Sequence, residues 1–202
     1  MKIYVDGENF RHGVASILRA KGVIQNSKDL AQFPLRKLLE DVTDVGHLNI
    51  VYYAAKIKMP RGYEPTAVIS DRADEIRGFN RKWVADLIAQ KVEYIKAGYL
   101  KVKQSEPCAH CGHQQEVLQE KGVDVRIAVD LISDSHHEDA KTIALMSSDS
   151  DLIPALDRIR RSGVRIIYIC FANSVNRAMS ATADETITIA TRKVEQLYQE
   201  SL

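Results

Sequence analysis

The sequence predicts an α/β protein, a three-layer α/β/α sandwich around a mainly parallel central sheet. Three observations point there. Short apolar runs alternate with longer helical patterns along the chain. The run over 164–171 is rich in β-branched residues, as expected of a strand buried on both faces. The 202 residues, 45% apolar and 27% charged, suit a single domain, 1–202, with a core of ordinary size.

Ile3-Tyr4-Val5 reads as a short first strand, and a helix over 9–21 ends at Gly22. A second helix over 34–41 carries Pro34 in its first turn, where a missing N–H costs nothing. Residues 47–55 are strand-like. A Pro/Gly loop over 60–65 leads to a long helix over 70–90. A strand over 92–102 is expected to break at Gly98, and the polar Cys/His-bearing stretch 103–121 reads as an insertion. There follow a helix (123–133), a strand (142–146), a helix (152–162) stopped by Gly163, and the strand 164–171. A short helix near Val175, an edge strand at 186–189 and a polar closing helix complete the chain.

No stretch approaches the ~20 apolar residues of a membrane helix, and Met1 runs directly into a strand pattern, so a cytoplasmic protein is expected. Net charge is only +1, from 28 basic and 27 acidic residues. Attraction to phosphates must therefore come from local segregation of charge. Three cysteines argue against a disulfide framework, and Cys170, inside an apolar run, is expected to be a buried thiol.

Ligands of open parallel sheets bind beyond the carboxyl ends of the strands. Asp6 follows the first strand, Asp149 and Asp151 follow the strand ending at Met146, and Asp124 opens a helix. With the first strand central and the Met146 strand beside it, these acids converge on one rim. Clustered carboxylates stay ionised together only around a cation. Their hard oxygens favour Mg²⁺ or Mn²⁺ over zinc. Each acid taken alone is equally well read as a helix N-cap. Capping leaves Gly7 and Asn9 unexplained.

Tyr4-Val5-Asp6-Gly7-Glu8-Asn9-Phe10, Lys121-Gly122-Val123-Asp124-Val125 with Val129-Asp130-Leu131, and Ser147-Ser148-Asp149-Ser150-Asp151-Leu152 occur in this order. Together they resemble the NYN domain family in its LabA-like (DUF88) branch, a relative of the PIN-domain nucleases. The resemblance implies a PIN-like sandwich and a metal-dependent endoribonuclease. It assigns Asp6, Asn9, Asp124, Asp149 and Asp151 to catalysis. The four aspartates would hold Mg²⁺ or Mn²⁺, with Asn9 orienting Asp6 or the phosphate. Asp130, six residues past Asp124 and ~120° round the helix, points elsewhere. The implied substrate is RNA, single-stranded or in structured loops. A non-catalytic RNA-binding protein and a DNA or flap nuclease are the alternatives, and the chain is compatible with a homodimer. A haloacid-dehalogenase-type phosphatase fits poorly, because Glu8 stands where its second Asp is needed.

Cys108-Ala109-His110-Cys111-Gly112-His113 has the spacing of a zinc knuckle. Cys108, Cys111 and His113 (or His110) are candidate ligands of a structural Zn²⁺. The fourth could be His136 or His137, a water, or a residue of a second subunit. Two reducible thiols in an exposed loop are the other reading. For substrate binding the candidates are Arg11, Ser148, Lys56, Lys58 and Arg61. Arg72, Arg77, Arg81, Lys82, Tyr53 and Tyr63 lie in or near the same region. Trp83 is assigned to the core or an interface.

Overall fold

A computed structural model of the protein describes residues 1–25, 30, 32–58, 66–137 and 140–201. The strands are β1 (Lys2–Asp6), β2 (Asn49–Ile57), β3 (Glu93–Gln104), β4 (Glu116–Lys121), β5 (Thr142–Met146), β6 (Arg165–Phe171) and β7 (Glu185–Ile189). The helices are α1 (Gly7–Ala20), α2 (Leu35–Thr43), α3 (Ala67–Ala89), α4 (Val123–Ser135), α5 (Ile153–Arg161), α6 (Arg177–Thr182) and α7 (Thr191–Glu200), with a 3-10 turn at Ser150–Leu152. The sheet order is β4-β3-β2-β1-β5-β6-β7. All pairings are parallel except β3 with β4. β1 is therefore central with β5 beside it, as the sequence requires.

Alternation along the strands sends side chains to two separate cores. On one face Ile3, Val5, Tyr52, Met146 and Ile169 pack with Phe10 and Leu18 of α1, Leu38 of α2, Trp83 of α3 and Leu197 of α7. On the other, Tyr4, Tyr53, Leu145, Ile166 and Tyr168 pack with Ile127 and Leu131 of α4, Leu156 of α5 and Met179 of α6. The result is the three-layer α/β/α sandwich. Trp83 is a core residue, stacked on Phe79 with ring centroids 5.9 Å apart. Cys170 is buried, and burial pushes its thiol pKa up. No helix among the described residues is long and apolar enough to cross a membrane.

Three readings are corrected by the structure. Within the stretch 103–121, β3 continues to Gln104 and Glu116–Lys121 forms β4. Glu-Val-Leu-Gln-Glu-Lys has only two apolar residues, and exposure alternates along this edge strand, with Glu116, Leu118 and Glu120 half-buried and Val117 exposed. The strand does not break at Gly98. Its pairing shifts register instead, Ala54 opposing Lys96 and Ala55 opposing Gly98, which leaves Ala97 as a bulge. The closing helix α7 is amphipathic, not polar throughout. Val194, Leu197 and Tyr198 are spent in the protein's own core, so the tail gives no support to a homodimer. The loop over 60–65, with Arg61 and Tyr63, lies outside the described residues.

Gly98 also has a positional role. A Cβ there would sit 2.4 Å from the Lys121 carbonyl oxygen and 2.9 Å from Val123 Cγ2. Only glycine lets the β4–α4 turn, which carries Asp124, close onto β3. Gly98→Val should cost about 1–3 kcal/mol through overpacking. It should also weaken Mn²⁺ binding by moving Asp124. Denaturant midpoints and Mn²⁺ titrations check both effects.

Candidate functional site

At the carboxyl rim of the sheet, β1 ends at Asp6 and α1 begins at the next residue. Gly7 is required by this abrupt join. A Cβ at Gly7 would lie 2.4 Å from the Tyr52 ring and 2.5 Å from the Tyr53 carbonyl oxygen. Tyr52 donates from its hydroxyl to the Gly7 carbonyl at 2.9 Å, which pins the helix start to β2.

The Asp6 carboxylate turns inward and is 6% exposed. It is the N-cap of α1, with Oδ1 accepting from the backbone N–H of Glu8 at 3.1 Å and of Asn9 at 3.2 Å. Oδ2 accepts from the Asn9 side-chain amide and from the Ser147 hydroxyl at 2.9 Å. Four donors occupy the roughly four acceptor positions of a carboxylate. Burial raises the Asp6 pKa more than these hydrogen bonds lower it.

Ser147 links this cap to the β5 side of the site. Its oxygen accepts from the Asp149 N–H at 3.1 Å while its hydroxyl donates to Asp6. Ser148 donates to the side-chain oxygen of Asn9. The Ser148 carbonyl accepts from the Asn176 amide at 2.9 Å, and Asn176 itself caps α6. Asp149 in turn caps the 3-10 turn, accepting from the Asp151 N–H at 2.9 Å.

Asp124, in the first turn of α4, meets Asp149 and Asp151 across the rim. One carboxylate oxygen from each lies within 4.8 Å of the other two. Asp124 and Asp149 are half-buried and Asp151 is exposed. Three hard oxygen donors at this spacing fit a divalent cation such as Mg²⁺ or Mn²⁺. Asp6 is not part of this group. Asp130 also stands apart, accepting from the Tyr53 hydroxyl at 3.0 Å and from Arg126 at 2.8 Å.

Glu120, half-buried on β4, faces the same rim. Its carboxyl is pushed up from 4.5 to about 7, first by burial and then by the charges of Asp6, Glu8 and Asp124. A folded-state pKa above the unfolded one means that the folded chain keeps a proton the unfolded chain has lost. Stability therefore falls as pH rises from about 4.5 to about 7. In metal-free buffer, Glu120→Gln should flatten this decline and melt higher than the parent above pH ~7. Parallel melting profiles for the two proteins would show that Glu120 does not titrate in this window.

Of the basic candidates, Arg11 pairs with Glu8 and lies 5.3 Å above the Phe79 ring. Together with Arg19 and Arg72, and with the acids Glu8, Asp71 and Glu75, it lines a cleft of about 660 Å³ between α1 and α3. Lys56 and Lys58 are exposed where β2 runs on past Tyr53, the strand partner of Asp6. Ser147, Asn176 and Glu120 are the site residues that sequence reading missed. The only signal for the first two is a short polar residue beside a strand end. For Glu120 it is an acid four residues before Asp124.

Cys108 and Cys111 lie at the exposed tip of the β3–β4 hairpin. The Cys108 N–H donates to the His113 carbonyl at 2.9 Å, and the Gly112 N–H to the Cys108 carbonyl at 2.7 Å. Among the described residues, the aspartate triad is the one group of three or more His, Cys, Asp or Glu residues spaced to hold a metal ion. Cys108, Cys111 and His113 are not among its members. His136 and His137 follow the C-terminal end of α4, at the opposite edge of the sheet from this tip.

A protein of unknown function from Vibrio parahaemolyticus shares 15% identity with this chain, covering 93% of it and 92% of its own length, with a TM-score of 0.47. Among curated proteins none matches. The NYN domain profile matches residues 1–190, so the chain belongs to the NYN domain family, relatives of the PIN-like nucleases.

Proposed function

We propose that this protein is a metal-dependent endoribonuclease of the LabA-like branch, cutting RNA that is single-stranded or looped. The observation that carries the reading is the convergence of Asp124, Asp149 and Asp151 on the sheet's carboxyl rim. In a family related to nucleases, that set suits Mg²⁺ or Mn²⁺. When bound, the ion supplies Lewis acidity toward a phosphodiester oxygen and lowers the pKa of a coordinated water.

The chain's own residues do the rest. Asp124, Asp149 and Asp151 hold the cation. Asp6 is a positioning residue, since its hydrogen bonds fix Asn9 and, through Ser147, the turn carrying Asp149. Ser148 and Asn9 present polar atoms beside the acids for a phosphate. Lys56, Lys58 and Arg11 supply the positive charge that draws in an RNA backbone.

A labelled single-stranded RNA and its DNA counterpart test the proposal. Cleavage of RNA in Mn²⁺ or Mg²⁺, abolished by EDTA, supports it. Binding without cleavage under any divalent metal assigns the protein to RNA binding instead, and preferential cleavage of DNA overturns the choice of substrate.

A further inference from the structure

We propose that two copies of this chain share one zinc ion at their hairpin tips, each copy supplying the Cys108 and Cys111 thiolates. The tip is a built half-site. Two backbone hydrogen bonds, from the Cys108 N–H to the His113 carbonyl and from the Gly112 N–H to the Cys108 carbonyl, close the turn that carries both exposed cysteines. In such a turn the Cys-x-x-Cys spacing lets both sulfurs face one ion.

The neck of the hairpin is held in shape. The Ser105 N–H donates to the Gln115 carbonyl at 2.7 Å, and the Gln115 N–H to the Ser105 hydroxyl at 2.9 Å. At its base, Thr66 donates to the Glu116 carboxylate at 2.7 Å. β2 ends at Ile57, opposite Leu100, and among the described residues the ribbon from Lys101 to Gln104 pairs with β4. At the tip, residues 106–115 are all exposed.

What the half-site lacks is a second pair of ligands. Structural zinc is almost always tetrahedral, with four protein ligands. Among the described residues no third His, Cys or carboxylate lies with the two sulfurs, although His110 and His113 share their turn. An exposed pair can meet its own copy about a two-fold axis, and two such pairs make a four-thiolate site.

The test uses the reduced full chain, zinc chloride alone, and light scattering coupled to size exclusion. The expected result is one zinc per two chains, an apparent mass that doubles with zinc, and reversal by EDTA. Co²⁺ in place of zinc should show thiolate-to-metal charge transfer of a four-sulfur site. Cys108→Ser and Cys111→Ser should each lose zinc and dimer together, while His110→Ala combined with His113→Ala should keep both. One zinc per chain without a mass increase would overturn the shared site. So would a dimer that survives EDTA, or a reduced parent chain that binds no more zinc than Cys108→Ser. None of these readouts depends on nuclease activity.

Discussion

On the proposed function, Asp149→Asn is expected to lower metal-dependent RNA cleavage on the order of 10²–10³-fold, the range seen when one preorganised electrostatic group is lost from a site. The same variant keeps the fold. Asn caps a helical turn about as well as Asp, so the hydrogen bond to the Asp151 N–H is retained. Removing one of three mutually repelling carboxylates leaves melting in EDTA unchanged or higher. Asp124→Asn should behave alike, because it is also half-buried in the group. Cleavage rates in Mn²⁺ and melting curves in EDTA, taken on the same preparations, separate loss of the ion from loss of the fold.

Asp6→Ala has the second large effect, and it acts on stability. The substitution strands the N–H groups of Glu8 and Asn9, the Asn9 amide and the Ser147 hydroxyl around a buried gap. Loss of a helix cap costs ~1 kcal/mol and unsatisfied buried donors a further ~1–3 kcal/mol. A total near 3 kcal/mol corresponds to a fall of about 6–12 °C in melting temperature for a domain of this size. Mn²⁺ affinity should also drop, because Ser147 no longer holds the Asp149 turn. Were Asp6 chiefly a metal ligand, its replacement would weaken metal binding and leave the melting temperature in EDTA nearly untouched. Calorimetry without metal distinguishes the two roles.

These two predictions mark where the sequence was readable and where it was not. Strand-end placement was enough to bring Asp6, Asp149 and Asp151 to one rim, because parallel topology fixes where β1 and β5 emerge, whereas Asp124 reaches that rim from the antiparallel β4. It could not say which way a carboxylate turns. Asp6 points back into the join between β1 and α1, where Gly7 allows the helix to start against Tyr52. Asp149 and Asp151, on a short turn after β5, point outward toward Asp124.

β4 escaped notice for a related reason. None of the residues of this edge strand is fully buried, so Glu116–Lys121 carries too few apolar residues to stand out from a polar loop. Ser147 and Asn176 look like ordinary turn residues until their bonds to Asp6 and to the Ser148 carbonyl are seen. Asp130 was readable, since helical periodicity alone turns it away from Asp124 and toward Tyr53. Glu120 was not, because its raised pKa depends on β4 bringing it beside acids that are remote in sequence.

The central claim is that Asp124, Asp149 and Asp151 form a divalent-cation site. Crystals grown with Mn²⁺ and measured for manganese anomalous scattering test it most directly. The account predicts a peak about 2.0–2.3 Å from oxygens of all three carboxylates, absent in crystals of Asp149→Asn. A well-ordered triad with no peak at saturating Mn²⁺, or a peak held elsewhere on the molecule, would contradict it.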